Sequence, residues 1–184
     1  MTGLTDRARG EQLMQLLAPG ASTSWGLVIP GEPATKSRPR FGNGRTYKLE
    51  KDEEAEKATA WHLRRRFRQP LTGNVALGCV FFRPDMRLID VDNMIKHVCD
   101  AANGVVWVDD SQVTAVYGQA ELDVDEPRTL VVVAPHMSTL LRGTDNVRDC
   151  AGCGKPFTPS HLTQKCCSRD CVAEARRLRG AVRS

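Results

Sequence analysis

Long apolar runs are absent from this 184-residue sequence, and its first residues lack the pattern typical of a secretion signal. No stretch approaches the roughly 20 apolar residues that a membrane-spanning helix requires. The first residues do not combine a basic segment with an apolar one. We therefore expect a cytoplasmic protein with no membrane partner. An apolar content of 41% is enough for a core, and the length suits one ordinary domain with a small appendage.

Histidine is also scarce, and cysteine is scarce outside the C-terminal tail. The chain has four histidines, and His62, His97 and His136 stand at no spacing that suits a metal site. Cys79 and Cys99 are isolated in apolar segments, which is typical of core thiols. The other five of the seven cysteines fall within the last 35 residues. A metal site built by cysteine is therefore predicted in the tail alone.

The tail cysteines form two groups separated by a dozen residues, Cys150-x-x-Cys153 and Cys166-Cys167-x-x-x-Cys171. Structural disulfides are rare inside cells, so this spacing favours a closed, structural zinc site. We predict four ligands: Cys150, Cys153, Cys167 and Cys171. Cys166 is then a packing residue, although Cys166 in place of Cys167 stays open, and His161 is a weaker fourth-ligand candidate. So short a segment would depend on the metal for much of its stability.

A second cluster of chemistry-bearing residues lies in the middle of the chain. Asp90 and Asp92 are two apart, so on an extended segment they point to one side. A helix capped by Asp92 or Asn93 would follow, with Asp92, Lys96 and Asp100 in one stripe. It would end at Asn103-Gly104. A short strand over residues 105–108 would then bring Asp109 and Asp110 back toward the first pair.

Like charges gathered in this way raise one another's pKa unless a cation relieves them. The cluster therefore favours a site for Mg²⁺ or Mn²⁺, with Asp90, Asp92 and Asp110 as ligands. The simpler interpretation stays open for each part. Asp90-x-Asp92 suits a helix cap, Asp109-Asp110 suits a turn, and Lys96 suits an i, i+4 salt bridge to Asp92 or Asp100.

Charge is distributed unevenly along the chain, although the net charge is only +4. Residues 36–69 hold eleven Lys/Arg against five Asp/Glu, and residues 142–184 hold nine against four. Residues 85–126 hold two against ten. An acidic centre between basic flanks suits a phosphate-binding protein if the centre takes a cation. Eight basic side chains are candidates for DNA backbone contacts: Lys36, Arg38, Arg40, Arg45, Arg64, Arg65, Arg176 and Arg177. The alternative for the first four is a solvated loop. For Arg64 and Arg65 it is a favourable interaction with the helix dipole, and for Arg176 and Arg177 it is a frayed, solvated tail.

The periodicity predicts helices over residues 6–17 and 49–67. It predicts strands over residues 25–29, 74–82, 112–122 and 129–133. Together with the central helix, these elements favour an α/β (α+β) sandwich with a mixed sheet and flanking helices. The predicted organisation is an N-terminal extension over residues 1–24, a catalytic domain over 25–138, a linker over 139–147 and a zinc module over 148–184.

Two resemblances extend this interpretation. The run Asp90-x-Asp92-Asn93-x-x-Lys96-x-x-x-Asp100-x-x-Asn103-Gly104, then Trp107-x-Asp109-Asp110-x-Gln112, resembles the signature of RusA-type Holliday junction resolvases. Gly31-x-Pro33-x-x-Lys36-x-Arg38-Pro39-Arg40 is similar to the same family's N-terminal motif. The resemblance covers residues 25 to 134. The tail resembles a treble-clef or zinc-ribbon module.

The resolvase resemblance implies a homodimer that nicks paired strands of a four-way DNA junction with Mg²⁺ or Mn²⁺, in a bacterial cell or its phage. It implies that Asp90, Asp92 and Asp110 bind the catalytic metal and that Lys96 is catalytic. Asn93, Asp100 and Asp109 match family positions and are predicted to support the ligands. The alternatives are a nuclease for forks or flaps, and a non-catalytic DNA-binding zinc protein.

Overall fold

The computed structural model describes residues 5–36, 40–42, 45–47, 49–139, 147–157, 159 and 164–181, without the side chains of 40–42, 45–47 and 178–181. Its helices are α1 (Asp6–Leu17), α2 (Glu50–Arg64), α3 (Val91–Ala102) and α4 (Arg169–Ala181), with a 3₁₀ turn over Asp110–Gln112. Its strands are β1 (Trp25–Pro30), β2 (Arg40–Gly42), β3 (Arg45–Tyr47), β4 (Val75–Arg83), β5 (Val113–Leu122), β6 (Arg128–Pro135), β7 (Arg148–Asp149) and β8 (Pro156–Phe157).

The main sheet has the order β1-β6-β4-β5 and is mixed. β6 runs antiparallel to both β1 and β4, whereas β5 runs parallel to β4. Parallel neighbours need a long crossover, and α3 supplies it. The prediction of an α+β fold with a mixed sheet is confirmed.

Helices cover both faces of this sheet, which explains why β4 is buried along its whole length. On one face, α2 and α3 enclose a core centred on Leu63, Phe81, Met94 and Trp107. On the other face, α1 packs against the alternate residues of β4 and β6. A strand buried on both faces reads as a continuous apolar run, and the sequence of β4 does so.

Two glycines allow the helices to approach the sheet closely. A Cβ on Gly118 of β5 would overlap the side chains of Val91 and Ile95 on α3. A Cβ on Gly78 of β4 would collide with Val132 and crowd Leu17 of α1. The close packing at Gly118 sets the depth of the first turns of α3, and with it the position of the aspartates there.

Helix α1 lies in the predicted N-terminal extension and packs on the sheet through Leu13 and Met14. Arg128 of β6 holds its first residue, Asp6, through two hydrogen bonds of 2.8 and 3.0 Å. The same guanidinium bonds to Asp123 at 2.6 Å and stacks 3.8 Å above the ring of Phe82. The hydrogen bonds that Arg128 donates to Asp6 and Asp123 raise its pKa.

Several local predictions were wrong or incomplete. The predicted helix over residues 49–67 is shorter in the structure, where α2 ends at Arg64. Its buried residues are Thr59, Ala60 and Leu63, whereas Trp61 is 56% exposed. The predicted strands did not include the short β2–β3 hairpin, which lies between β1 and α2. In the part of the chain that the structure describes, no helix is both long and apolar enough to cross a membrane.

Candidate active site and metal centre

The N-terminus of α3 carries the first pair of predicted catalytic aspartates. Asp90, and not the predicted Asp92 or Asn93, is the N-cap residue, and its side chain makes no capping bond to the helix backbone. Its carboxylate instead accepts a long hydrogen bond of 3.4 Å from the amide of Asn93. Asp90 and Asp92 are both exposed. Two carboxylates therefore face solvent at a helix end whose dipole favours anions, which suits a site that brings cation and phosphate together.

Lys96 lies one turn further along α3 and pairs with Asp92. Its Nζ lies 2.7 Å from Asp92 Oδ2, and both side chains are more than half exposed. The hydrogen bond from Lys96 is the main reason that the pKa of Asp92 falls below its usual value. The i, i+4 salt bridge that the sequence allowed is thus present. It keeps Asp92 ionised and holds an ammonium group beside the carboxylate.

Asp100 continues the stripe on α3 and pairs with Lys36 from the chain segment before α2. The Lys36 Nζ to Asp100 Oδ2 distance is 2.5 Å, with side chains 33% and 19% exposed. The backbone N–H of Lys36 also donates to the carbonyl of Asn93 at 3.1 Å. These two contacts fasten the basic segment along α3. Lys36, predicted to contact DNA, is therefore placed at the edge of the carboxylate stripe and balances Asp100.

The segment between α3 and β5 differs from the short strand predicted over residues 105–108. It is a tight turn that begins with Gly104 at a φ of +70°, and Trp107 forms only isolated bridges. Trp107 is fully buried, and its indole N–H donates to Asn103 Oδ1 at 2.9 Å. Burying this ring pulls the segment into the α2–α3 core, which prevents an extended strand. The predicted helix end at Asn103-Gly104 is confirmed.

Asp109 caps the 3₁₀ turn that follows. Its carboxylate accepts the backbone N–H of Ser111 at 2.9 Å, and hydrogen bonds from the side chain and then the backbone of Ser111 lower the pKa of Asp109. Asp110, the third predicted metal ligand, is the first residue of that turn and is exposed. Asp109 therefore shapes the turn that presents Asp110.

Gln112 is the residue of this region to which the sequence assigned no role. Its side chain is fully buried and makes four hydrogen bonds. The amide oxygen accepts the N–H groups of Val108 and Asp109, at 2.8 and 3.1 Å. The amide nitrogen donates to the carbonyls of Leu71 and Gly73, at 3.0 and 2.7 Å. The sequence signal for this role was a polar residue at the first position of the apolar strand predicted over residues 112–122.

The three predicted carboxylate ligands come from two elements: Asp90 and Asp92 from the start of α3, and Asp110 from the 3₁₀ turn. Burial is the main cause that raises the pKa of the Cys99 thiol to about 11, and the charges of Asp110 and Asp100 raise it further. The charge of Asp110 therefore influences Cys99 in the C-terminal half of α3, whereas Asp90 and Asp92 lie at the start of that helix. Among the described residues, the four tail cysteines form the one group of possible ligands whose donor atoms all lie within 4.8 Å of one another. The three aspartates do not form such a group. The aspartates still offer the hard oxygen donors that Mg²⁺ prefers, and Mg²⁺ commonly takes one or two carboxylates and completes its shell with water and phosphate.

The remaining basic candidates are distributed over several elements. Arg64 and Arg65 are exposed near the end of α2, where the Arg65 guanidinium lies 5.1 Å from the centre of the Trp61 ring. Arg176 and Arg177 are exposed on α4, and Arg177 pairs with Glu174 at 3.2 Å. Only the backbone is described for Arg40 and Arg45, which lie in the β2–β3 hairpin, and Arg38 lies outside the described residues.

The four predicted zinc ligands come together. The Sγ atoms of Cys150, Cys153, Cys167 and Cys171 lie within 4.8 Å of one another. The Cys153–Cys167 and Cys167–Cys171 sulfur distances are 3.8 and 3.5 Å. Cys166 is buried beside Ala175 and Phe157 in the small apolar cluster of this module, as expected of a packing residue. His161 lies outside the described residues.

The backbone of the module is arranged around these sulfurs. The N–H of Cys167 donates to Cys150 Sγ at 3.3 Å and is the main cause of a Cys150 pKa lowered to about 5. Hydrogen bonds with the other sulfurs raise the pKa of Cys167 to about 12. A Cβ on Gly152 would overlap the backbone of Cys171, so the knuckle before Cys153 packs directly on the first turn of α4. Four sulfurs at this spacing fit the tetrahedral coordination of zinc, which replaces sulfur-bound protons.

Comparison with known proteins agrees with this geometry. A family model described as "Endodeoxyribonuclease RusA" matches residues 30–134. The matched region contains β4, α3 and the turn at Asp110, and thus all the predicted catalytic residues. No curated protein matches the chain. Because the family model covers more than half of the sequence, the chain belongs to the RusA endodeoxyribonuclease family.

Proposed function

We propose that this protein is a Mg²⁺-dependent endonuclease that resolves Holliday junctions by paired phosphodiester hydrolysis in DNA recombination and repair. The observation that best supports this proposal is the exposed start of α3, where the Asp92–Lys96 ion pair lies near Asp90. These solvent-facing carboxylates offer the hard oxygen ligands that Mg²⁺ prefers, and the ammonium group beside them is available to a phosphate. Membership of a junction-resolving nuclease family names the substrate class.

Each side chain has a role in this proposal. Asp90, Asp92 and Asp110 hold the metal through their exposed carboxylates, and Mn²⁺ is the second candidate ion. When bound, such an ion supplies Lewis-acid polarisation of the phosphate and lowers the pKa of a coordinated water. Lys96 neutralises charge on a non-bridging phosphate oxygen as the pentavalent state forms. Asn93 orients Asp90, Lys36 balances Asp100, and Asp109 shapes the turn that carries Asp110.

The C-terminal module is proposed to bind one structural zinc through its four clustered cysteines. A closed Cys₄ site leaves no open position for chemistry. The exposed Arg176 and Arg177 on α4 are proposed to contact the DNA backbone, as are the basic hairpin around Arg40 and Arg45 and the end of α2 at Arg64 and Arg65.

A homodimer is the proposed active form. Resolution of a four-way junction requires two symmetric nicks, and a two-fold protein matches the two-fold symmetry of the junction. The proposed location is the cytoplasm of a bacterium, with a phage gene as one source.

The test is cleavage of a synthetic four-way junction against a fork, a flap and linear duplex, with Mg²⁺, Mn²⁺ or EDTA. We expect paired nicks in the junction with either ion and none with EDTA or in duplex. Asp92→Asn should abolish cleavage, while Asp125→Asn, at an exposed aspartate in another loop, should not. If the wild type cuts no branched DNA, or if Asp92→Asn cuts as well as the wild type, the proposal is wrong. Preferred cutting of forks or flaps would change the substrate.

A further inference from the structure

The loop between β4 and α3 presents two large apolar side chains to solvent immediately before Asp90. Met86 is 84% exposed and Leu88 is fully exposed. Contact between water and apolar side chains of this size is unfavourable, so covering them favours association. Leu88 lies close to a predicted metal ligand. It precedes Asp90 by two residues, so its Cα lies at most about 7 Å from that of Asp90.

The loop that carries these side chains is braced by charged groups. The buried Arg83 donates to the carbonyl of Arg87 at 3.1 Å and to Asp85 Oδ1 at 2.7 Å. Asp85 in turn accepts the backbone N–H and the Nε of Arg87, at 3.0 and 2.7 Å. Arg87 extends the network to Glu32 at 2.6 Å. The hydrogen bonds from Arg87 are the main cause that lowers the pKa of Asp85, so the network stays charged.

The second loop that carries a predicted metal ligand also exposes an apolar side chain. Val108 is 60% exposed and precedes Asp110 by two residues, as Leu88 precedes Asp90. Both loops that present predicted metal ligands therefore carry an exposed apolar side chain beside the carboxylate. Between β4 and α3, Arg83, Asp85 and Arg87 pair with one another, while the apolar Met86 and Leu88 face solvent without covering one another's exposed surface.

We propose that Met86 and Leu88 form an apolar wedge that contacts unstacked bases at the branch point of the DNA. This inference rests on the proposed function. A phosphodiester held at Asp90 brings its own or a neighbouring base within reach of Leu88. Paired, stacked bases hide their faces, whereas a branch point allows them to separate, and apolar wedges of Leu or Met are one way in which proteins stabilise an opened base step. The wedge thus favours branched over linear DNA.

A second copy of the chain is the other candidate occupant of this surface. A subunit seated on Leu88 would crowd the carboxylates two residues away, which must admit a phosphodiester. Bases are therefore the better occupant, and the oligomeric state serves as a check in the experiment.

The wedge can be tested with a double variant, Met86→Ser with Leu88→Ser, and a matched control, Leu16→Ser with Val124→Ser, at exposed apolar positions of α1 and the β5–β6 loop. The probe is 2-aminopurine at the branch point, whose fluorescence rises on unstacking. An Asp92→Asn background keeps the DNA intact for this measurement. We expect the wedge variant to lose most of the fluorescence rise that accompanies DNA binding. When Asp92 is intact, the same double variant should cut the junction roughly tenfold more slowly than the wild type. The control should change neither.

The outcomes separate this inference from the function on which it rests. If the wild type cuts no branched DNA, the proposed function fails. If the wild type cuts and the wedge variant matches it in both cleavage and fluorescence, the function stands and the wedge is wrong. Sedimentation gives the third outcome: a wedge variant that becomes monomeric while the wild type is dimeric would identify a subunit interface and overturn the inference. An unchanged melting temperature confirms that the variants fold.

Discussion

Gln112 Nε2 donates a hydrogen bond of 2.7 Å to the carbonyl oxygen of Gly73, which is 39 residues earlier in the chain. The same buried side chain accepts the backbone N–H groups of Val108 and Asp109. It therefore joins the segment before β4 to the turn that presents Asp110. One amide group satisfies four backbone groups, and a substitution leaves them buried without partners.

Replacing Gln112 should accordingly affect both stability and the metal site. We expect Gln112→Ala to lower the free energy of unfolding by about 2–4 kcal/mol, because it leaves a cavity and unsatisfied polar groups. It should also raise the Mg²⁺ concentration needed for half-maximal cleavage, because the turn at Asp110 loses its anchor. Gln15→Ala, at an exposed position on α1, should change neither. A stability loss with unchanged Mg²⁺ dependence would contradict the positioning role.

Lys96 should contribute to catalysis and not to folding. Its salt bridge with Asp92 is exposed, and such pairs contribute little to stability. We expect Lys96→Met to slow junction cleavage by roughly 10²–10³-fold, the usual effect of losing one group that stabilises the transition state. The melting temperature should not change, and Lys57→Met on the exposed side of α2 should cut normally. Activity within threefold of the wild type would leave Lys96 as a surface ion pair.

The zinc proposal can be tested by ligand substitution. Metal analysis of the intact protein should give one zinc per chain. Cys167→Ser should remove most of it, whereas Cys166→Ala should retain it, because the structure places Cys167 among the sulfurs and Cys166 in the apolar cluster. Gly152→Ala should also reduce zinc binding, because the added methyl group would displace Cys171. Zinc well below one per chain in undamaged wild type would refute the Cys₄ site.

Arg128 should stabilise the contact between α1 and the sheet. It is mostly buried, hydrogen-bonded to Asp6 and Asp123, and stacked on Phe82. We expect Arg128→Leu to lower the free energy of unfolding by about 2 kcal/mol. Arg7→Leu, which removes only the exposed Arg7–Glu11 pair, should cost less than about 0.5 kcal/mol.

The Arg128 contribution should depend on pH with a defined sign. Hydrogen bonding from Arg128 lowers the pKa of Asp123 in the folded protein. The stability that this carboxylate contributes is therefore complete above its unfolded pKa of about 3.9 and is lost as the pH falls through the lower folded pKa. The difference between wild type and Arg128→Leu in urea denaturation should be constant from pH 5 to 8 and should shrink below about pH 4. A difference that grows on acidification would contradict this origin.

Local sequence patterns were sufficient for the features that depend on near neighbours. The spacing of Asp92 and Lys96 by one helical turn predicts their ion pair, because residues four apart share a helix face. The cysteine spacing predicts the cluster of four sulfurs, since a short module has few ways to arrange two pairs. Asn103-Gly104 predicts the end of α3, because glycine readily takes a positive φ.

Tertiary packing decided the rest. Residues 105–108 have the composition of a strand, yet the burial of Trp107 between α2 and α3 turns them into a tight turn. Gln112 bonds to Gly73 and Lys36 pairs with Asp100, 39 and 64 residues away in the sequence, so no local pattern could predict these contacts. The sequence by itself determined which residues carry charge, thiols and helical periodicity, because those properties are local. The position of Asp110 relative to α3 and the outward direction of Met86 and Leu88 were decided only when the β4–α3–β5 unit closed, because they depend on which side chains the core accepts.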